Sequence, residues 1–348
     1  MSVSSLQVAI LGASGYTGGD AIRLLACHPN VTLMALIAQR HAGEAVEDVW
    51  PHLGATDLPD MVTPEQVDWE HVDAVVCGLP HGTFQAMSTD LPDHVKIIDM
   101  SADFRLRDKE VYAHWYGQPH AAPDMQEQAV YGLTEFYRND IAVARLVACP
   151  GCYPTAVLLA LLPLVSERCI TPEDLIIDAK SGVSGAGRGL KQQNLFSEIA
   201  EAMHPYNVGS HRSVSEIEQE LSRAGGVPVM VNFTPHLVPL NRGELVTVYA
   251  RLGQGQTADD ARRILSTRYE AEPFVNVLEA GHTPATRQVR GSNLCQIGVF
   301  ADRLPERVII VAAIDNLVKG SSGQAVQNLN LMFGFDETTG LEQKPLFP

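Results

Sequence analysis

The chain has 348 residues, of which 45% are hydrophobic, and a mean hydropathy near zero, so it can bury a sizeable core and is expected to form two domains. Its 25 Lys and Arg against 41 Asp and Glu give a formal net charge of -16, which opposes binding to nucleic acid or to an anionic membrane surface. Any anionic ligand must therefore be held by local donors.

The sequence shows no pattern typical of a secretory signal, a membrane span or a metal site. The segment MSVSSLQVAILGA has no basic stretch before its first apolar run, unlike a secretory signal. The longest apolar runs, near Ala156 and Val308, are too short to cross a bilayer. The cysteines are scattered, without disulfide or metal spacing apart from one pair: Cys27, Cys77, Cys149, Cys152, Cys169 and Cys295. We expect a cytoplasmic protein without metal, membrane or nucleic-acid partners.

A strand, a glycine turn and a helix open the chain. Leu6 to Leu11 is apolar, Gly12-Ala-Ser-Gly15-Tyr-Thr-Gly18 follows, and Ile22, Leu24 and Leu25 recur at helical spacing. This order is typical of a dinucleotide-binding βαβ unit, in which the helix amino end donates N–H groups to a pyrophosphate. The GxxGxxG spacing is weak by itself, and a plain strand-to-helix turn is the alternative.

The end of the second predicted strand bears on cofactor choice. This strand, Val31 to Ile37, leads to Arg40 about twenty residues after the glycines, where NAD-binding folds place a carboxylate. A cation without an acid favours the 2′-phosphate of NADP, and a solvated surface arginine is the alternative.

Two further strands follow in the βα rhythm of a parallel sheet: Val72 to Cys77 and Val95 to Met100. The loops after them hold His81, which we interpret as a capping or packing residue, and Arg105. Arg105 is a candidate for binding a carboxylate or phosphate of a substrate. An ion pair with Asp108 or Glu110 is an equal alternative.

Cys152 lies between a short strand, Leu146 to Ala148, and an apolar helix that we expect Pro154 to open and Pro163 to end. Unpaired N–H groups and the helix dipole favour a thiolate there, so the position suits a nucleophile. An isolated cysteine is more often a small buried hydrophobe. The strand–turn–helix context favours the nucleophile.

The carboxyl-terminal half has a different rhythm. A glycine-rich segment, Lys180 to Gly189, is expected to be a ligand-approaching loop or a flexible connector. The predicted elements are strands at Leu175–Ala179, Val227–Phe233, Gly243–Leu252, Cys295–Phe300 and Val308–Ile314, and a helix at Ala258–Tyr269. They indicate an α+β domain with an antiparallel sheet. A last helix, with Ala325, Val326, Leu329 and Met332 as its apolar stripe, is expected to pack back on the first domain. The predicted domains are 1–150 with 318–348, and 151–317.

A histidine precedes another predicted helix. Ser213 or Ser215 is expected to cap a helix that carries Ile217 and Leu221, which places His211 just before its start. Such a histidine can stay uncharged and move a proton near neutral pH. A surface histidine is the alternative.

Together, a nucleotide-type domain, a helix-capped cysteine and a later histidine suggest covalent catalysis with hydride transfer. Seven motifs over nearly the whole chain then resemble one family: GASGYTGG, SADFRLRD, YGLTE, PGCYPT, KSGVSGAGRG, NFTPHLVPLNRG and IDNLVKG. They are similar to the N-acetyl-γ-glutamyl-phosphate reductase family, the arginine-biosynthetic branch of the semialdehyde dehydrogenase group. The resemblance implies NADPH-dependent reduction of N-acetyl-L-glutamyl 5-phosphate to the 5-semialdehyde with release of inorganic phosphate. It also implies a Rossmann-like doubly wound α/β domain beside an α+β catalytic domain, in a homodimer or homotetramer.

Site roles follow from the resemblance. Cys152 is the implied nucleophile that forms a thioester, and His211 the acid or base. Residues implied to bind NADP are Gly12, Ala13, Ser14, Gly15, Tyr16, Thr17, Gly18, Arg40, Ser181, Gly182 and Asn316. Arg105 and Arg212 are assigned to substrate binding.

Two departures from the family pattern leave roles open. Where the family has HRHxPEI, the chain keeps the first histidine as His211 and has Ser213 and Ser215 in place of the second histidine and the proline. Cys149 replaces a common Asn and forms a CPGC pair with Cys152. An oxidative disulfide between these two cysteines is one hypothesis, and a buried inert Cys149 is the other.

Other functions also stay open. One is a related reductase that acts on aspartyl phosphate or on a carrier-linked aminoadipyl phosphate. The other is a non-catalytic protein that senses NADP, which the altered HRS segment supports and the retained Cys152 opposes.

Overall fold

The computed structural model describes residues 5–54 and 57–347. Contacts divide the chain into two compact units. The first comprises the described residues up to Pro150 together with Ser321–Glu342, and the second comprises Gly151–Gly320 together with the residues from Gln343 onward.

The first unit is built on seven parallel strands. The strands are β1 Leu6–Leu11, β2 Val31–Ile37, β3 Met61–Val62, β4 Ala74–Cys77, β5 Lys96–Asp99, β6 Val130–Tyr131 and β7 Leu146–Ala148. The helices before residue 150 are α1 Tyr16–Leu25, α2 Val46–Val49, α3 Phe84–Ser88, α4 Lys109–Tyr116, α5 Pro123–Gln128 and α6 Thr134–Val143. The strand order is β3-β2-β1-β4-β5-β7-β6, so the winding reverses between β1 and β4, where doubly wound sheets bind ligands. This confirms the predicted Rossmann-like sheet.

The second unit has a sheet of seven strands covered by helices. Its elements are α7 Cys152–Ser166, β8 Leu175–Gly182, α8 Phe196–Ile199, β9 His204–Pro205, α9 Ser213–Gly225, β10 Val231–Val238, β11 Glu244–Arg251, α10 Ala258–Tyr269, β12 Val275–Val277, β13 Cys295–Ala301 and β14 Arg307–Ile314. The strand order is β12-β13-β14-β11-β8-β10-β9.

The prediction of an antiparallel sheet was wrong in part, because β8 pairs in parallel with β10 and β12 with β13. The crossover between β8 and β10 contains α8, β9 and α9 and returns the chain in its original direction. The central pairs of β11 with β8 and with β14 are antiparallel, as expected.

The apolar helix α7 continues through Pro163 to Ser166, so the predicted end at Pro163 was wrong. Pro163 cannot donate an N–H to the Leu159 carbonyl one turn earlier. The hydroxyl of Tyr269 on α10 donates to that carbonyl instead, at 2.6 Å. A neighbouring helix thus supplies the bond that the proline removes.

The last helix, α11 Gly323–Met332, returns to the first unit and contacts α1, α6 and β5. Buried amides fix it there: Asn328 Nδ2 donates to the Gly132 carbonyl at 2.9 Å, and Asn330 Oδ1 lies 2.9 Å from His28 Nε2. Among the described residues, no helix has the length and apolar character needed to span a bilayer.

Candidate active site

Cys152 is the first residue of α7 and is half-buried. Gly151, the N-cap, makes no side-chain cap, and the first turn of α7 itself contains no acid, so the positive end of the helix dipole lies at Cys152. Gly320 approaches so closely that a Cβ on it would lie 2.7 Å from Cys152 Cβ. The second unit therefore holds Cys152 in a fixed position at a helix amino end.

A second carboxyl group, Glu216 on α9, shapes the turn before Cys152. Its Oε1 accepts a hydrogen bond from the Gly151 N–H at 2.9 Å, and its side chain is buried. Glu216 therefore fixes the backbone on which Cys152 sits.

Glu244, the first residue of β11, is fully buried and contacts the Cys152 thiol. Burial raises the pKa of Glu244 to about 8, and a hydrogen bond with Cys152 opposes that shift. Neither carboxyl oxygen has a nitrogen or oxygen partner among the described residues. A carboxyl group in its neutral form thus lies against the candidate nucleophile.

Two tyrosines lie near the same cysteine. The Tyr206 hydroxyl donates to the Tyr153 hydroxyl at 3.2 Å, and the Tyr153 hydroxyl donates to the His236 carbonyl at 3.3 Å. Burial raises the pKa of both phenols well above their usual range, and the nearby Glu244 and Cys152 add to this effect. Both tyrosines are therefore uncharged hydrogen-bonding groups.

His211 lies among aromatic rings just before α9, as predicted. Its ring centroid is 5.7 Å from that of Tyr153, 5.4 Å from Tyr206 and 5.5 Å from Phe233. Burial, helped by the charge of Arg212, lowers the pKa of His211 to about 4, so the imidazole is neutral.

The predicted serine cap of α9 was wrong. The N-cap position is Arg212 in a helical conformation, and the Ser215 hydroxyl donates to the Arg212 carbonyl. His211 Nδ1 accepts the Ser213 N–H at 3.1 Å and takes the place of a serine oxygen. Because Nδ1 accepts, the ring proton is assigned to Nε2, which is then a donor.

Three of the residues assigned to cofactor binding converge in the second unit. Ser181 and Gly182 end β8, although the prediction placed them in a loop. Gly182 N–H donates to the Gly243 carbonyl, and Gly243 N–H donates to Asn316 Oδ1 at 2.8 Å. Gly243 precedes Glu244, so this polar cluster adjoins the cysteine site.

The glycine loop of the first unit suits a pyrophosphate. Gly12 has φ +79°, and a Cβ on it would lie 2.7 Å from the Gly78 carbonyl oxygen, so only glycine fits. Helix α1 begins after Gly15 with no side-chain cap and no acid in its first turn. The first turn of α1 therefore offers its donors no competing acid of its own, and the residues present fit the phosphates of a dinucleotide.

The remaining predicted site residues lie in separate places. Arg40 is exposed in a turn after β2 and makes no ion pair with a described residue. In the first unit, Arg105 donates to the carbonyls of Cys149 and Met100, both at 2.8 Å, while the Asp108 side chain caps α4. Arg212 is exposed. His81 Nδ1 lies 2.7 Å from Asp103 Oδ1, and its ring centroid lies 4.2 Å from that of Tyr116.

Cys149 is fully buried in the first unit, with its sulfur 3.5 Å from Asn328 Nδ2. Burial raises the pKa of its thiol to about 12, so it does not form a thiolate near neutral pH. These observations favour the buried, inert interpretation. No described cluster of His, Cys, Asp and Glu residues has the arrangement of a metal site.

Sequence reasoning missed Glu244, Glu216 and the two tyrosines. Glu244 carried a signal, because it shares the inward alternation of β11 with apolar Val246 and Val248. A carboxylate in such a row is unusual for a core strand. The tyrosines carried no comparable signal, since Tyr153 continues the apolar sequence of α7 and Tyr206 lies in a loop, where tyrosine is common.

Two family descriptions match the chain. Residues 7–144 match the semialdehyde dehydrogenase NAD binding domain, and residues 152–316 match the semialdehyde dehydrogenase dimerisation domain. The boundary between the two matches falls near the division between the compact units.

Similar curated proteins span nearly the full chain. N-acetyl-gamma-glutamyl-phosphate reductase of Rhodospirillum rubrum is 56% identical over 348 residues, which covers 99% of each chain. A probable chloroplastic N-acetyl-gamma-glutamyl-phosphate reductase of Arabidopsis thaliana is 54% identical over 99% of this chain and 86% of that protein.

Solved structures with the same fold are more distant in sequence. Aspartate semialdehyde dehydrogenase II from Vibrio cholerae superposes with a TM-score of 0.73 at 18% identity, over 95% of this chain and 99% of that one. The NADP complex of the Candida albicans aspartate semialdehyde dehydrogenase gives 0.67 at 18% identity, with the same coverage.

Proposed function

The chain belongs to the N-acetyl-gamma-glutamyl-phosphate reductase family of NADP-dependent semialdehyde dehydrogenases, and from this we propose a reaction through a thioester on Cys152. The reaction is the reduction of N-acetyl-L-glutamyl 5-phosphate to N-acetyl-L-glutamate 5-semialdehyde, the third step of arginine biosynthesis. The observation that supports the covalent route is Cys152 at the amino end of α7 beside the buried Glu244.

The chain's own groups account for the acyl transfer. Cys152 Sγ attacks the acyl carbon, the C–O bond to phosphate breaks, and inorganic phosphate leaves with the bonding electrons. NADPH, when bound, supplies the hydride that reduces the thioester. The neutral His211 donates a hydrogen bond from Nε2 to the oxyanion that develops, and Cys152 sulfur leaves as the semialdehyde is released.

We assign the cofactor to the first domain, residues 1–150 with 318–348, and catalysis to residues 151–317. The Gly12 to Gly18 loop holds the pyrophosphate through its backbone and the amino end of α1. Arg40 binds the 2′-phosphate, which its lack of an acidic partner supports. Ser181, Gly182 and Asn316 lie at the nicotinamide in this proposal.

Arg105 and Arg212 remain our candidates for the substrate's anionic groups. Guanidinium groups recognise carboxylate and phosphate through paired N–H donors. Arg212 is exposed one residue after His211, which supports contact with a substrate at the histidine.

We also propose that the protein is a cytoplasmic homodimer or homotetramer. A surface that we name the arm, residues 190–208, exposes five large apolar side chains: Leu190, Leu195, Phe196, Met203 and Val208. Leu190 is 96% exposed and Phe196 84%, values that favour burial against a second copy of the chain. The arm lies within the match to a dimerisation domain.

The function is tested by the reverse reaction. Purified protein with N-acetylglutamate semialdehyde, NADP and inorganic phosphate should produce NADPH only when phosphate is present. Cys152→Ala should lower turnover by at least about 10³-fold, because no thioester can form, while NADPH still binds.

Aspartate semialdehyde and aminoadipate semialdehyde serve as substrate controls. A preference for either one would assign the chain to a related acyl-phosphate reductase. Full turnover by a Cys152→Ala protein that binds NADPH normally would remove the covalent mechanism.

A further inference from the structure

Glu244 is the one ionisable side chain in the buried, inward-facing row of β11. The inward side chains of β11 are Glu244, Val246, Val248 and Ala250, and all are at most 1% exposed. A carboxyl group buried in such a row costs free energy unless a partner compensates it. The chain retains this costly group at the end of β11 that faces Cys152.

Cys152 is the partner that the structure provides. Burial raises the pKa of Glu244, and a hydrogen bond with the Cys152 thiol opposes that shift. Neither oxygen of Glu244 has a conventional nitrogen or oxygen partner among the described residues. Ile314 on β14 pairs with Glu244, and a Cβ on Gly320 would lie 3.3 Å from Ile314 Cδ1 and 2.7 Å from Cys152 Cβ, so the carboxyl group and the thiol belong to one packed cluster.

Other groups around the pair do not take its proton. Tyr153, next to Cys152, and Tyr206, from the loop after β9, are uncharged phenols bonded to each other. Glu216, from α9, accepts the Gly151 N–H. His211 is neutral and uses Nδ1 for the Ser213 N–H, with the charge of Arg212 beside it.

We propose that Glu244 is the catalytic proton acceptor for Cys152, and that its carboxyl group and the thiol share a single proton. As Sγ attacks the acyl carbon, the S–H bond breaks and an O–H bond forms on Glu244. The C–S bond forms while the C–O bond to phosphate breaks. When the reduced product leaves, the sulfur departs as a thiolate that the Glu244 O–H stabilises or protonates. This step rests on the proposed function.

The low polarity around the pair favours this exchange. A single negative charge shared by two atoms is easier to bury than two separate charges. Two groups that interact this strongly titrate as a pair, in two separated steps. That behaviour gives a measurement that does not depend on the acyl substrate.

The test is the pH dependence of Cys152 alkylation by iodoacetamide in the full chain, followed by mass spectrometry of the peptide that contains Cys152. In the native protein the rate should rise in two steps, one for each proton lost from the pair. In Glu244→Gln it should rise in one step. Turnover in the phosphate-dependent assay should fall about 10²-fold, the usual contribution of a general base.

Glu218→Gln is the matched control. Glu218 is a half-buried carboxyl group of α9 whose pKa burial raises, but it accepts the Val231 N–H away from the cysteine. This variant should keep both steps and native turnover. Glu244→Asp, which draws the carboxyl group back by one methylene, should keep two steps with a smaller separation, and it decides the question where Glu244→Gln does not fold.

The proposal is overturned if Glu244→Gln keeps the two-step profile, or if its turnover stays within about threefold of native. A Glu244→Asp profile with the native separation also overturns it. Alkylation requires neither NADP nor substrate. If the native chain reduced NADP with none of the semialdehydes, the proposed function would fail while the alkylation profiles still decided the shared proton.

Discussion

Two titratable side chains near Cys152, His211 and Glu244, are held in neutral forms. Burial lowers the pKa of His211 to about 4 and raises that of Glu244 to about 8, so both are mainly uncharged at neutral pH. The substrate of the proposed reaction is itself an anion. The neutral forms of these two residues add no negative charge that would repel that substrate beside the sulfur.

These two residues should give the folding stability opposite pH dependences. His211 has a lowered pKa, so its contribution is present above about 6.5 and is lost as the pH falls towards 4. Glu244 has a raised pKa, so its contribution is present below about 4.5 and is lost as the pH rises to 8. Of these two residues, only Glu244 makes the unfolding free energy depend on pH between about pH 6.5 and 8.

Over that upper window the native protein should lose about 2 kcal/mol of unfolding free energy through Glu244. Urea unfolding of the native chain and of Glu244→Gln at both ends of the window measures this loss. Over the same window, the loss of unfolding free energy in Glu244→Gln should be smaller than in the native protein by about 2 kcal/mol. Equal losses in the two proteins would show that Glu244 is not buried as a neutral acid.

The sequence was sufficient to predict those site residues whose structural surroundings are formed by their neighbours along the chain. Cys152 was predicted because strand, turn and helix are contiguous around it. Glu244 is separated from Cys152 by 92 positions, and only the fold brings them together. His211 was located correctly, but its ring replaces the serine oxygen expected as the helix cap, which local propensity could not indicate.

Among the elements, prolines account for the clearest differences between prediction and structure. The helix α10 and the strands β1 and β2 have the predicted bounds. Strand β10 was predicted to end before Pro235, yet it continues to Val238 with Pro235 opposite Ala179. Its outer neighbour β9 has only two residues. The N–H that Pro235 lacks therefore removes little from the hydrogen bonding between these strands. Distant partners overrode the local rule at both Pro235 and Pro163.

The partner of Pro163 can be tested directly. Tyr269→Phe should lower the unfolding free energy by about 1–3 kcal/mol, because the Leu159 carbonyl is left buried without its donor. Urea denaturation measures the loss.

The control is the same change in a Pro163→Ala background, where the new N–H at position 163 can donate to Leu159. There Tyr269→Phe should cost clearly less. An equal cost in both backgrounds would mean that the hydroxyl does not substitute for the missing helix bond.

At the scale of the whole molecule, the arm exposes apolar side chains that a single copy of the chain does not bury. Of its five apolar side chains only Phe196 lies in a helix, α8, and the other four lie in the irregular segments around α8 and β9. Soluble proteins rarely expose a cluster of this kind without a partner. A self-association surface in the second unit is the simplest use for it.

Phe196→Asp should therefore shift the protein towards monomers, because a charge in an apolar interface is left without solvent or a partner. Sedimentation velocity measures the shift, and we expect a loss of association of about tenfold or more. Val143→Asp is the control, since Val143 on α6 is 85% exposed but lies outside the arm. A native protein that sediments as a monomer would contradict the assignment.

The return of α11 to the first unit also sets an order for synthesis. The ribosome completes β1 to β7 long before it makes residues 323–332, and Gly151–Gly320 of the second unit emerges in between. Until then Gly132 and His28 lack the buried amides of Asn328 and Asn330 that complete their surroundings. During synthesis the first unit therefore stays incomplete where α11 will pack, while the second unit, which contains Cys152, can fold before it.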